Sequence, residues 1–134
     1  MKKFNTTFFC ILLITMLILT SCSTTRTFKL ENITKIELSN DIDGSIVEIT
    51  EQEQISTLIQ PFNDYEFIKD GSKIVKDYNF KLRFYQGDKI ITEIIVRNNG
   101  NIIFKNNSYI IKDNTIDLGY YGDLLNEWYI DYKR

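Results

Sequence analysis

Cys22 is the residue whose surroundings point most specifically to chemistry, because its thiol follows a long apolar segment. Two lysines give the chain a basic start, residues 8–19 are almost entirely apolar, and two small polar residues precede the cysteine. A basic start, an apolar run and small residues at a cleavage point are typical of a secretory signal peptide. The sequence therefore predicts that residues 1–21 are a signal peptide that is removed.

The four residues Leu19-Thr20-Ser21-Cys22 resemble the lipobox of bacterial lipoproteins. In that family the cysteine thiol carries a diacylglycerol, and the cysteine becomes the first residue of the mature chain. The resemblance implies lipidation of Cys22 and attachment to the cell membrane or the outer membrane, with the folded domain outside the cytoplasm. Two alternatives are less favoured: a retained span, since about a dozen apolar residues fall short of the roughly 20 that are needed, and secretion without lipid.

Residues 22–32 are predicted to be the lipidated cysteine with a short polar tether, and residues 33–134 a single globular domain. Loss of the signal removes Lys2 and Lys3 from 16 basic side chains and none of the 18 acidic ones, so the mature chain has a net charge of −4. A nucleic-acid partner would need a basic surface, so none is expected. Contact with the membrane then depends on the lipid at Cys22.

The sequence contains no histidine, which excludes many catalytic classes. Ser-His-Asp and Cys-His nucleophiles are absent, as are the usual zinc, copper and iron sites. Cys10 lies in the predicted signal, so the mature chain is expected to have no disulfide. We predict no catalytic residue, no metal and no cofactor.

Two acidic stretches could bind calcium or supply catalytic carboxylates, but both interpretations are less favoured. Residues 41–44 have the sequence Asp-Ile-Asp-Gly, part of a calcium loop, but the twelfth loop position is Thr50 where a calcium loop needs Glu. A hairpin turn is the favoured interpretation. Asp64, Glu66 and Asp70 fall in one stretch, but nothing in their spacing fixes the two-carboxylate geometry of glycoside hydrolysis.

The hydrophobic pattern predicts an α+β domain. Alternating segments joined by short turns must form antiparallel neighbours, so we predict a β-meander sheet of six to seven strands. Asn99-Gly100 is a type I′ turn signal. In the long hairpin, a three-residue loop would place Phe84 opposite Ile90.

Two helices are predicted to pack on this sheet. Apolar residues at helical spacing indicate one helix over about residues 51–60, with Thr50 and Glu53 as a capping box and Pro61 ending it. The second is expected over residues 123–132.

Two groups of polar and aromatic residues are candidates for partner binding. One group alternates with apolar residues in the long hairpin and should project from the face opposite the core. The other is a run of tyrosines near the C-terminus, where core docking is the alternative role. Tyrosine and tryptophan are frequent interface anchors. The candidates are Lys81, Arg83, Tyr85, Tyr121, Tyr129 and Tyr132.

Residues 99–104 and 108–112 with Leu124-Leu125 resemble, in turn and strand pattern, small lipoproteins and domains of unknown function from AT-rich bacterial genomes. The resemblance implies no activity and no site residue. We expect a non-enzymatic, lipid-anchored envelope protein that binds a protein or peptide. The main alternative is an immunity or inhibitor lipoprotein that neutralises a toxin or hydrolase, because acidic surfaces complement basic enzymes. A carboxylate-based envelope enzyme is less favoured.

Overall fold

The computed structural model describes residues 25–74 and 78–132, which form a sheet covered by two helices. The predicted α+β class is confirmed. The strands are β1 Thr25–Arg26, β2 Lys35–Asn40, β3 Ile46–Ile49, β4 Phe67–Asp70, β5 Tyr78–Gln86, β6 Lys89–Arg97, β7 Ile102–Phe104 and β8 Asn107–Ile111. The helices are α1 Gln52–Asp64 and α2 Leu118–Tyr132.

The eight strands form one sheet in the order β1-β4-β8-β7-β6-β5-β2-β3, and every neighbouring pair is antiparallel. Strands β5 to β8 are a meander. The β2–β3 hairpin lies at one end of it, and β4 lies at the other. Helix α1 lies between β3 and β4 in the chain and carries it from one side of the sheet to the other.

The predicted count of six to seven strands is wrong, because the sheet has eight. The additional strand is β1, in the segment assigned to the polar tether. It pairs with β4 through Thr25 opposite Ile68 and Arg26 opposite Phe67. Two polar residues are too few for an alternating pattern, so the sequence carries no strand signal there.

Both helices pack on the same face of the sheet. Phe62 of α1 contacts Phe84 of β5, with ring centroids 5.8 Å apart, and Tyr121 of α2 contacts Phe80 of the same strand at 5.4 Å. Phe80, Leu82 and Phe84 alternate along β5 and are all buried. The core therefore lies between this face and the two helices.

The segment before β2 also reaches the core. Phe28 and Leu30 are 8% and 4% exposed. The Phe28 ring lies 5.1 Å from the ring centroids of both Phe67 and Phe104. The side-chain amide of Asn63 accepts a hydrogen bond from the Leu30 amide at 2.7 Å and donates one to the Leu30 carbonyl at 3.1 Å. Two hydrogen bonds therefore hold this segment against α1.

The boundaries of α1 differ from the prediction. The helix continues through Pro61 to Asp64, and the amide of Tyr65 donates to the Pro61 carbonyl at 3.1 Å. Burial of Phe62 in the core favours this last turn and outweighs the hydrogen bond that proline cannot donate. Glu51 occupies the N-cap position without a side-chain cap bond, so the predicted capping box is absent.

The register of the long hairpin also differs. Gln86 pairs with Lys89, so the turn has two residues instead of three, and Phe84 lies opposite Thr92 instead of Ile90. A bulge beside Phe84 adds one residue to β6 and restores the inward direction of its apolar side chains.

The predicted type I′ turn is misplaced. Gly100 has a positive φ of 79°, but Asn99 does not, whereas type I′ needs both central residues positive. Lys105 and Asn106, between β7 and β8, both have positive φ, of 47° and 59°.

Candidate functional site

Three predicted functional side chains lie outside what the structure describes. Cys22 precedes the described residues. Tyr129 and Tyr132 belong to α2, but side chains are described there only as far as Glu127. The other four predicted residues lie in two separate places: Lys81, Arg83 and Tyr85 in one, and Tyr121 in the other.

Lys81, Arg83 and Tyr85 lie together on the sheet face opposite the two described helices. Their side chains alternate with the buried apolar residues of β5, as the sequence predicts. Glu37 of β2 and Glu93 of β6 lie directly opposite Arg83 on either side. We call these five residues the hairpin patch: Glu37, Lys81, Arg83, Tyr85 and Glu93.

Arg83 is the centre of the hairpin patch. Its Nη1 donates to Glu37 Oε1 at 2.9 Å and its Nε to Glu93 Oε2 at 2.7 Å. The hydrogen bond to Glu93 is the main reason that the pKa of Arg83 is raised, and the charge of Glu37 adds to it. The Tyr85 hydroxyl donates to Glu37 Oε2 at 3.3 Å. Exposed ion pairs stabilise folding little, but these contacts hold the guanidinium in one orientation.

The rim of the patch combines charge with apolar surface. The Nζ of Lys35 lies 4.3 Å from the Tyr85 ring centroid and 3.1 Å from Glu48 Oε1. Ile90 lies opposite Tyr85 and is 50% exposed. Lys81 has no ion pair among the described residues. A partner would therefore meet a fixed arginine, a tyrosine ring, an available ammonium group and an exposed isoleucine.

Tyr121 lies elsewhere, in a cavity of about 360 Å³ between the end of α1 and the start of α2. We call the residues that define it the helix groove: Asp64, Tyr65, Asp117, Tyr120 and Tyr121. The Tyr121 ring is not on the protein surface, since only 2% of the residue is exposed. Tyr121 is one of the residues predicted from the sequence, whereas the groove beside it was not predicted.

The Tyr121 hydroxyl is buried and has no hydrogen-bond partner in the described part of the chain. Burial raises its pKa well above the usual range, and the charges of Asp117 and Tyr120 add to the effect. Both of those residues also line the cavity. An unsatisfied buried hydroxyl costs about 1–3 kcal/mol, so the Tyr121 hydroxyl lowers the stability of the fold.

Asp117 lines the groove and fixes the start of α2. Its Oδ1 accepts hydrogen bonds from the amides of Gly119 at 2.9 Å and Tyr120 at 3.4 Å, which caps α2. The helix therefore begins five residues before the predicted start at 123. Gly119 and Gly122 lower helix propensity and hide this start. Asp117, a residue type that favours the N-cap position, was the sequence signal from which this helix start could have been predicted.

The acidic stretches do not form one site. The Asp43 carboxylate accepts from the Ser45 amide at 2.9 Å and hydroxyl at 2.6 Å, which lowers its pKa and closes the β2–β3 turn. Glu66 pairs with Lys112 at 3.1 Å, whereas Asp70 binds Ser72. Asp64 lines the helix groove.

Within residues 25–74 and 78–132, no three Asp, Glu or Cys side chains come together as a metal-binding group. Neither described helix has the combination of length and apolar character needed to cross a bilayer. The fold and the two surfaces define a small α+β domain. No protein-family model, curated protein or solved structure matches this chain.

Proposed function

We propose that this chain is a lipid-anchored cell-envelope protein that binds a protein or peptide partner through the hairpin patch, without catalysis. The observation that carries this proposal is the orientation of Arg83 and Tyr85. Both belong to the residue types most enriched at binding hot spots, and their contacts with Glu37 hold them in place before any partner arrives. Preorganised side chains lose less entropy on binding.

The lipobox supports placement at a membrane, and the fold fits that placement. Strand β1 begins at Thr25, three residues after Cys22, and three extended residues span about 10 Å. Edge strand β1 would then lie close to the lipid. Strand β5 is five strand spacings from β1, about 24 Å at the usual separation. This separation allows the hairpin patch to lie away from the bilayer, where a partner can reach it.

A site-specific cross-link tests this proposal in intact cells. A photoreactive amino acid replaces Lys81 in one variant and Ser56, which is exposed on α1, in the matched control. We expect one protein adduct from position 81, absent from position 56 and strongly reduced by Arg83→Ala in the same chain. Identical adducts at both positions, or an adduct indifferent to Arg83→Ala, would contradict binding through the patch.

The identity of the adduct separates the two binding hypotheses. A toxin or hydrolase, together with growth arrest when this chain is deleted, supports the immunity or inhibitor alternative. Any other single partner supports the general binding role. Turnover of a substrate, lost when one Asp or Glu is substituted, would contradict the non-enzymatic proposal.

A further inference from the structure

The sheet edge that follows the predicted lipid site carries a group of cations. Arg26 of β1 lies opposite Phe67 of β4, and Lys69 is two residues further along β4 on the same face. The Cζ of Arg26 lies 4.4 Å from the centroid of the Phe104 ring, and the Nζ of Lys105 lies 5.4 Å from the same centroid. The charges of β1 and of the β7–β8 turn therefore meet at one aromatic ring.

Lys29 extends this group of cations. It directly follows Phe28, whose ring contacts both Phe67 and Phe104. Three of the four cationic side chains are exposed, and the fourth, on β1, is half-buried. We call these four residues the edge patch: Arg26, Lys29, Lys69 and Lys105.

Neighbouring carboxylates do not compensate the charge of the edge patch. None of its four side chains forms an ion pair with another residue of the described chain. Three acids lie close to the patch residues in the sequence. Glu66 is paired with Lys112, and Asp70 accepts a hydrogen bond from the Ser72 hydroxyl. The backbone of Glu31 is hydrogen-bonded to the end of β5, on the other side of the sheet.

The edge patch is distinguished by its closeness to the predicted lipid. Lys81 and Lys89 also have no ion pair among the described residues, but they lie on β5 and β6, well away from β1 in the strand order. Arg26 is four residues after Cys22, and four extended residues span at most about 14 Å. A lipid on Cys22 would therefore bring the edge patch to the surface of the bilayer.

We propose that the edge patch binds the anionic headgroups of the bilayer in which Cys22 is anchored. This inference rests on the proposed lipid anchor and adds an orientation to it. Ammonium and guanidinium groups donate charge-assisted hydrogen bonds to phosphate oxygens. Each lysine or arginine near an anionic lipid surface increases the preference for contact about fivefold.

The lipid and the edge patch depend on each other. The mature chain is acidic overall, so charge alone does not draw the whole domain to an anionic surface. The lipid on Cys22 keeps these four cations within a screening length of the headgroups, which is about 8–10 Å at physiological salt. Contact at this edge places β1 against the bilayer, whereas the strand that carries Arg83 is five strand spacings away.

Residue-resolved acetylation of the reconstituted lipoprotein tests this contact. The mature chain is placed in vesicles of phosphatidylcholine, either alone or mixed with phosphatidylglycerol. A brief pulse of acetic anhydride is followed by mass spectrometry, because a lysine that lies against the headgroups is acetylated slowly. Lys69 reports on the edge patch, and Lys89, which is exposed at the start of β6, is the internal control.

We expect phosphatidylglycerol to slow the acetylation of Lys69 about threefold or more, with little change at Lys89. The double substitution Lys29→Gln with Lys105→Gln should remove the protection of Lys69. The matched control, Lys81→Gln with Lys89→Gln, removes the same charge from the long hairpin and should leave that protection unchanged. Salt near 1 M, where the screening length is about 3 Å, should abolish it.

Flotation of the vesicles separates this inference from the anchor on which it rests. A chain that does not float with phosphatidylcholine vesicles contradicts the lipid anchor, and the role of the edge patch falls with it. A chain that floats, but whose Lys69 reacts equally fast in both kinds of vesicle, overturns the edge patch and leaves the anchor unaffected.

The variants provide a second way to overturn the inference. Protection of Lys69 that persists in the Lys29/Lys105 variant, or that is lost equally in the Lys81/Lys89 variant, contradicts binding through the edge patch. Coincident melting curves exclude unfolding as the cause of lost protection. The comparison of the two kinds of vesicle uses the original chain, so it decides the question even if a substitution lowers stability.

Discussion

The ring of Tyr121 packs edge-on against Phe80, with centroids 5.4 Å apart and planes at 81°. This contact fixes the first turn of α2 on the core face of β5. The same position leaves the Tyr121 hydroxyl buried without a partner in the described part of the chain. The residue therefore contributes to packing through its ring and has an unsatisfied polar group at its tip.

Tyr121→Phe is expected to keep or raise stability. The substitution removes a buried hydroxyl without a partner and retains the ring contact, so the free energy of unfolding should rise by up to about 1 kcal/mol. Urea unfolding measures the change. Tyr65→Phe, at a half-buried groove position, is the control and should change stability little. A loss of more than about 1 kcal/mol in Tyr121→Phe would mean that the hydroxyl is hydrogen-bonded in the folded protein.

Alkaline pH should destabilise the chain through Tyr121. Its folded pKa lies above the ordinary value of 10.0, because burial disfavours the phenolate. Below pH 10 the phenol is neutral in both states, so its contribution to stability is constant. Above pH 10 only the unfolded chain loses the proton readily, and the free energy of unfolding falls by about 1.4 kcal/mol per pH unit.

The comparison that isolates this effect is the original chain against Tyr121→Phe between about pH 9 and pH 11. Other tyrosines and lysines titrate in both proteins and cancel in the difference. The original chain should lose stability more steeply above pH 10. Parallel curves would show that Tyr121 titrates normally and is not buried.

Phe28 should contribute to stability although it lies only a few residues after the predicted lipid site. Phe28→Ala removes ring contacts with Phe67 and Phe104 and should lower the free energy of unfolding by about 3–5 kcal/mol. Lys29→Ala, at the exposed neighbouring position, is the control and should stay within about 0.5 kcal/mol. Equal, small effects of the two substitutions would mean that this segment is a loose tether.

Arg83→Ala should separate stability from binding. Its two ion pairs are partly exposed, so the loss of unfolding free energy should stay under about 1 kcal/mol. Lys112→Ala breaks the exposed pair with Glu66 and gives a matched control for stability. Arg83→Ala should nevertheless reduce cross-linking from position 81, whereas Lys112→Ala should not. A large drop in melting temperature for Arg83→Ala alone would assign the hairpin patch to folding.

The fold class was predictable where side chains follow a clear period. The alternation along β5 identifies both its buried face and the outward direction of Lys81, Arg83 and Tyr85. Local geometry was harder to predict from the sequence. Hairpin register depends on one residue of turn length and on a bulge, and neither leaves a hydrophobic signature. Strand β1 is too short to show alternation.

The partners of these residues depend on tertiary structure. Glu37 and Arg83 are far apart in the chain, and only the pairing of β2 with β5 brings them together. The helix groove needs the end of α1 beside the start of α2, and that start was hidden by two glycines. The unpaired hydroxyl of Tyr121 follows from side-chain packing, which the hydrophobic periodicity of a sequence does not reveal.

Mass spectrometry of the mature N-terminal peptide, extracted from membranes, tests the lipid anchor most directly. We predict a polypeptide that begins at Cys22 with a diacylglyceryl group on the sulfur, and a Cys22→Ala variant that incorporates no fatty acid and leaves the membrane fraction. A membrane-bound chain that begins at another residue, or that carries an unmodified thiol at Cys22, would contradict the account.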